Sequence, residues 1–210
     1  MMSRTLSILL LSALALSLLP GRASAQQYSV STNIVGWADL GTANLEAGAA
    51  LSRHFTLHAG FRYNPWTIRP VPGAAIDALV DGPVPAAQEE FERQDQLQNR
   101  KQAYHAGIRW WPWYVYSGWW VGARGQWMEY NRGGIVSPAT EEGEALGAGL
   151  SVGYTRMIHR SWNIEFGLGL WGGTTRYTTY ACPTCGTVRE SGTKTFILPD
   201  DVMLSVIFIF

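Results

Sequence analysis

The sequence predicts an all-β fold: an eight-stranded antiparallel transmembrane β-barrel with long outer loops and a short helix in the second of them. Three observations predict it. Residues 1–25 have the form of a secretory leader, eight later segments alternate apolar with polar residues, and the chain closes on Val206-Ile207-Phe208-Ile209-Phe210. A barrel spans a bilayer with strands because closure leaves no backbone edge in hydrocarbon.

In the leader, Arg4 supplies the positive start, Leu6 to Leu19 the apolar run and Ala23-Ser24-Ala25 the small-x-small cleavage signal, so residues 26–210 form the exported part. The apolar run is short for a spanning helix, which needs ~20 residues. At the other end, Phe208 and Phe210 resemble the assembly signal of bacterial outer-membrane barrels, whose terminal aromatic is read by the barrel-insertion machinery. Composition agrees: 23 Gly and 10 Trp accompany only 15% charged residues, and the formal net charge is zero. That balance gives no reason to expect a nucleic-acid partner. Small inward residues and belts of aromatics are what closed membrane β architectures use.

Eight segments carry a period of two. Tyr28 to Trp37 sets Val30 and Ile34 against Ser29, Ser31 and Asn33, and Ala43 to Leu51 sets Leu45 and Ala47 against Glu46 and Gly48. After the turn Ser52-Arg53-His54, the clearest alternation has Phe55, Leu57, Ala59, Phe61 and Tyr63 on one face. Thr56, His58, Gly60 and Arg62 lie on the other. A polar stretch, 64–103, intervenes before Tyr104, Ala106 and Ile108 alternate with His105, Gly107 and Arg109. The fifth segment opposes Trp119, Val121 and Ala123 to Trp120, Gly122 and Arg124, and a loop is expected around Asn131 to Glu142. The sixth opposes Leu146, Leu150 and Val152 to Gly147, Ser151 and Gly153. Ile164 belongs to the seventh, where Phe166 and Leu168 oppose Glu165 and Gly167, and the C-terminal run is the eighth. Each is close to the ~9–11 residues of a tilted membrane strand.

Connection lengths alternate as well: the links after segments two, four and six are short, and most of the others are longer. Short periplasmic turns with long outer loops are the rule for transmembrane barrels. Lipid must meet the apolar faces, because a mid-depth Arg costs about 2–4 kcal/mol. Glu46, Arg62, Arg109, Arg124 and Glu165 therefore face the lumen, with His58, His105 and Gln126 between them. Eight strands leave room only for side chains, so the interior reads as a polar network of Glu–Arg contacts. Aromatic residues fall into two belts: Trp110 to Trp120 with Tyr154, Trp162 and Phe210 at the periplasmic level, and Trp37, Tyr63, Trp66 and Trp127 at the outer rim.

These pieces carry a family resemblance. Tyr63-Asn64-Pro65-Trp66, Gly133-Gly134-Ile135, Trp162-Asn163-Ile164-Glu165 with Gly167-x-Gly169, Cys182-x-x-Cys185-Gly186 and the Phe-ending last strand resemble an uncharacterised family of small outer-membrane barrels, mainly from the Bacteroides group. The resemblance covers nearly all of residues 26–210 and implies fold and location. Association of some members with fimbrial components implies a fimbrial or other surface protein as a partner. Where the family has a short loop after Trp66, this chain runs on to about Gln102.

In that loop, Pro70, Pro72, Pro83 and Pro85 are followed by Ala86 to Gln102, with Glu89, Glu90 and Glu92 early and Arg93, Arg100 and Lys101 late. This polarity suits a helix dipole and predicts a short amphipathic helix. Cys182 and Cys185 stand in the last outer loop. Disulfide, metal shared between molecules, and redox chemistry are the three readings; an extracytoplasmic location favours the disulfide. His159-Arg160-Ser161 has a spacing used by outer-membrane lipid deacylases, yet its turn lies at the end away from outer-leaflet lipid. No phosphate loop, nucleophile elbow or metal-ligand pair on one helix face occurs. The expectation is a non-enzymatic barrel without cofactor or metal, in contact with outer-membrane lipid, serving as a surface platform or envelope component. A lipid-modifying barrel enzyme and a periplasm-facing assembly partner are the alternatives.

Overall fold

The computed structural model describes residues 27–39, 41–68, 97–133, 139–182 and 186–210. Its strands are β1 (Tyr28–Asn33), β2 (Ala43–Ala50), β3 (Phe55–Asn64), β4 (Thr67–Ile68), β5 (Leu97–Trp110), β6 (Gly118–Gly133), β7 (Thr140–His159), β8 (Trp162–Tyr180) and β9 (Val188–Ile209), with one helical turn, α1 (Ile34–Ala38), after β1. All pairings are antiparallel, in the order β3-β2-β1-β9-β8-β7-β6-β5-β4. Pairing of β3 with β5 closes the ring into an eight-stranded barrel, and the two-residue β4 is an extra rung on β5. At one end the strands are joined by residues 51–54, 111–117 and 160–161, here called the turn end; the opposite end is the loop end.

The alternation read from the sequence is visible as alternation of burial. Along β6, Trp120, Gly122, Arg124 and Gln126 are buried while Trp119, Val121 and Ala123 are exposed. The outer wall of the barrel is therefore apolar: Leu57, Ile108, Leu150, Leu168 and Leu170 all lie on it, exposed.

The structure departs from expectation in four places. First, β6 to β9 have 16, 20, 19 and 22 residues, far beyond the 9–11 expected; within the loop expected at Asn131 to Glu142, residues 131–133 and 140–142 are strand and 134–138 lie outside the described residues. At a tilt of ~40°, 20 residues rise about 50 Å, twice the ~25 Å apolar band of a transmembrane barrel. Second, β1 stops at Asn33 rather than Trp37. The Asn33 side chain accepts from the Val35 N–H at 3.0 Å and so caps α1, which draws the chain out of the sheet. Third, of the helix expected over Ala86 to Gln102, residues 86–96 lie outside the described residues, and Leu97 to Gln102 are strand. Two neighbours hold them there: β6 pairs them from Gln98 to Gln102, and Asp39 accepts hydrogen bonds from Lys101 and Asn99. Fourth, Trp111, Tyr116 and Trp120 do not join an aromatic belt; they point inward and are almost wholly buried.

Candidate functional site, the lumen and its two ends

The turn end is sealed by an aromatic plug. Turn 111–117 folds back beneath the barrel, with Tyr116 in the left-handed region at φ 63° and Gly118 following at φ 79°. This places Trp111, Tyr116 and Trp120 against Ile207, Ile209 and Met203 from β9. Ring centroids lie 5.9 Å (Trp111–Tyr116) and 6.2 Å (Trp111–Trp120) apart, and Trp111 Nε1 donates to Thr56 Oγ1 at 3.0 Å. Burying indole and phenol rings here replaces space that eight strands would otherwise leave to water. Gly153 is needed for the fit, since a Cβ there would stand 2.5 Å from the Trp120 ring.

Above the plug lies the polar network. Arg109 holds its guanidinium 4.4 Å over the Trp120 ring and donates to Glu46 Oε1 at 2.7 Å and Glu165 Oε2 at 3.4 Å. Thr155 Oγ1 also donates to Glu165 Oε2, at 3.0 Å. The other oxygen of Glu46 receives two imidazoles, His58 Nδ1 at 3.2 Å and His105 Nε2 at 3.0 Å. One arginine thus bridges both carboxylates, and one carboxylate gathers both histidines. Arg62 and Arg124 line a cavity of about 30 Å³ that adjoins Glu46, His105 and Arg109. That is space for roughly one water molecule.

Chemically, the donor atoms of Glu46, His58 and His105 lie within 4.8 Å of one another, and such a set can hold a metal ion. Both imidazoles meet the shared Glu46 oxygen, with the Arg109 cation on its partner oxygen, while His105 Nδ1 and Arg109 Nε are buried with no hydrogen-bond partner among the described residues. His159 and Ser161 sit at the turn end, where His159 pairs with Trp162.

At the loop end the inward side chains of the tall strands form a second network, around Glu141. It accepts from Tyr130 at 2.9 Å, Arg132 at 3.1 Å and Lys194 at 2.8 Å. Burial alone would push the Glu141 carboxyl up, but the bonds from Lys194 and Tyr130 and the Arg132 charge outweigh it and hold it below the usual range. A carboxylate acceptor raises the half-buried Tyr177 and Tyr180 hydroxyls, through Glu190 and Glu142 respectively. Sequence reasoning missed this network because its residues lay in segments read as loops.

Phe208 and Phe210 lie on the outer wall at the turn end, with Trp162 5.0 Å from Phe208 and Tyr28 6.1 Å from Phe210. Tyr28 and Phe210 exchange both backbone hydrogen bonds, at 3.1 and 3.0 Å. Cys182 follows β8, partly buried; Cys185 lies outside the described residues, so the expected bridge does too. Among known proteins, the family described as protein of unknown function, DUF3575, matches residues 7–210. No curated protein matches the chain.

Proposed function

Because the chain belongs to the DUF3575 family, whose description carries no activity, we propose a function from the geometry itself: an outer-membrane β-barrel that transports nothing and acts non-enzymatically as a surface platform or envelope component. The observation that carries this reading is the pairing of an apolar outer wall with a lumen filled twice over, by the aromatic plug and by the Glu46–Arg109–Glu165 network. An apolar wall needs lipid, and a filled lumen leaves no path for solute. The turn end would face the periplasm and the tall strands the outside.

Residues 1–25 as a cleaved leader, Phe208 and Phe210 as the assembly signal, and a Cys182–Cys185 disulfide belong to the same reading. Surface or fimbrial proteins are its partners. A catalytic alternative has less support, because the His159 and Ser161 pair sits at the end opposite the tall strands. The reading is tested by fractionation. The protein should sediment with outer membrane and migrate faster unheated than boiled on a detergent gel, and the purified barrel should show no large conductance in planar bilayers. Recovery as a soluble monomer, or a large open channel, defeats it.

A further inference from the structure

On the outer face of the tall wall, just above the apolar band, six polar residues form two rows. Register sets Glu129 beside Glu144, and Glu144 beside Arg176. One rung pair higher, Arg100 stands beside Asn131, and Asn131 beside Glu142. Even spacing along β6 from the exposed Val121, Ala123 and Gly125 puts Glu129 and Asn131 on the wall's outer side. Directly beneath, Tyr104 and Trp127 stack with centroids 5.9 Å apart, as in the aromatic girdle of a membrane boundary. The girdle is tied to the rows: Trp127 Nε1 donates to Glu144 Oε1 at 2.6 Å, and Gln102 Nε2 to the Tyr104 hydroxyl at 2.8 Å. All six residues line one hollow of about 620 Å³. That volume is in the range of small-molecule sites.

We infer that this hollow binds the headgroup of a phosphorylated glycolipid of the outer leaflet, with Arg100 and Arg176 on phosphate and Glu129, Asn131, Glu142 and Glu144 on sugar hydroxyl or amine groups. It rests on the outer-membrane reading above. Arg100 and Arg176 flank the hollow three strand spacings apart, about 14 Å across the sheet, the reach of a disaccharide. Neither guanidinium forms a hydrogen bond or ion pair with any described residue, and the guanidinium fork matches phosphate in a bidentate way. Between them Glu129 and Glu144 are cross-strand neighbours on one face. Like charges placed so are unfavourable by themselves and favourable with hydrogen-bond donors between them. Finally, the hollow is continuous with the apolar wall below the girdle, so a headgroup seated in it leaves its acyl chains against Leu146 and Leu150, both exposed.

The test uses the purified full-length barrel, folded in neutral detergent micelles, with three probes: a bis-phosphorylated disaccharide lipid, its dephosphorylated counterpart and inorganic phosphate. Native mass spectrometry should show one copy of the phosphorylated lipid bound. Arg100→Gln with Arg176→Gln should weaken it by about tenfold or more, whereas Arg→Lys at both positions should weaken it less. Heat-modifiable migration of each variant reports its fold. Equal binding of the dephosphorylated lipid, unchanged binding by the folded double variant, or displacement by millimolar inorganic phosphate would each overturn the assignment. Micelle binding does not depend on cellular location, so failure of the site and failure of the outer-membrane reading are separable by fractionation of the same strain.

Discussion

Each long strand of this barrel is two strands in one, and the two halves obey different solvents. In the lower half of β8, Trp162 to Leu170, the outward residues are Trp162, Ile164, Phe166, Leu168 and Leu170, while Asn163 and Glu165 are buried. In the upper half, Thr174 to Tyr180, both faces carry Thr and Tyr, with Arg176 on the outer one. The lower half sets an apolar outer face against a crowded polar interior; the upper half carries polar residues on both faces. Its cohesion comes from β-branched and aromatic neighbours across strands and from side-chain bonds such as Tyr130 to Glu141 and Thr175.

The largest way to break this contrast is to strike the lower half at Glu46. Glu46→Ala removes the common acceptor of Arg109, His58 and His105 and should destabilise the barrel by about 3–5 kcal/mol in micelle unfolding. Adding Arg109→Met should recover part of that loss. A single variant as stable as the parent would show that the lumen charges are solvated instead of paired. Next in size, Trp111→Phe opens space in the plug and strands Thr56, for about 1–3 kcal/mol. An unfolding midpoint unchanged by it would mean that the plug packs loosely.

In the upper half the same kind of change should cost far less. Glu141→Gln weakens contacts with Lys194, Arg132 and Tyr130 that are partly solvated, so a loss below about 1 kcal/mol is expected. The pH dependence follows from its lowered folded pKa. The contribution is whole above the ordinary Glu value of ~4.3 and is lost as pH falls through the lowered folded value. Intrinsic-rate-corrected hydrogen exchange in Thr140 to Ala145 should quicken only on acidification below about pH 4, with no change between about pH 5 and 8. Smallest of all, Gly125→Ala should stay within about 0.5 kcal/mol, because a Cβ there meets no atom within 4 Å. Gly153→Ala, on the lumen side against Trp120, is its matched contrast and should be clearly destabilising in the same assay.

This division also explains what could be read in advance. The eight-stranded antiparallel barrel was legible because the two faces of its lower strands differ sharply in polarity. Toward the loop end that contrast vanishes, so Asn131 to Gly133 and Thr140 to Glu142 read as loop though they are strand. The inward turn of Trp111 and Trp120 was illegible for another reason. Consecutive pairs, Trp110-Trp111 and Trp119-Trp120, place one ring on each face whatever the register, and only the fold says that the inner rings meet. Which carboxylate serves which cation was equally closed to inspection, since Glu46, Arg109 and Glu165 come from β2, β5 and β8.

One detail of the ring bears on how it is made. Its β1–β9 joint has five residue pairs, Ser29 with Ile209 through Asn33 with Ser205, where β8–β9 has a ladder running nearly its full length. Asn33 fastens the top of that joint, its Oδ1 accepting from the Leu204 N–H at 3.1 Å and its Nδ2 donating to the Val202 carbonyl at 3.3 Å. The two strands so joined are the most distant in sequence, and bringing them together carries the largest loop-closure entropy for only a few rungs. The joint is therefore the clasp of a bracelet: the last link to shut during assembly and the first to yield when the barrel is pulled open.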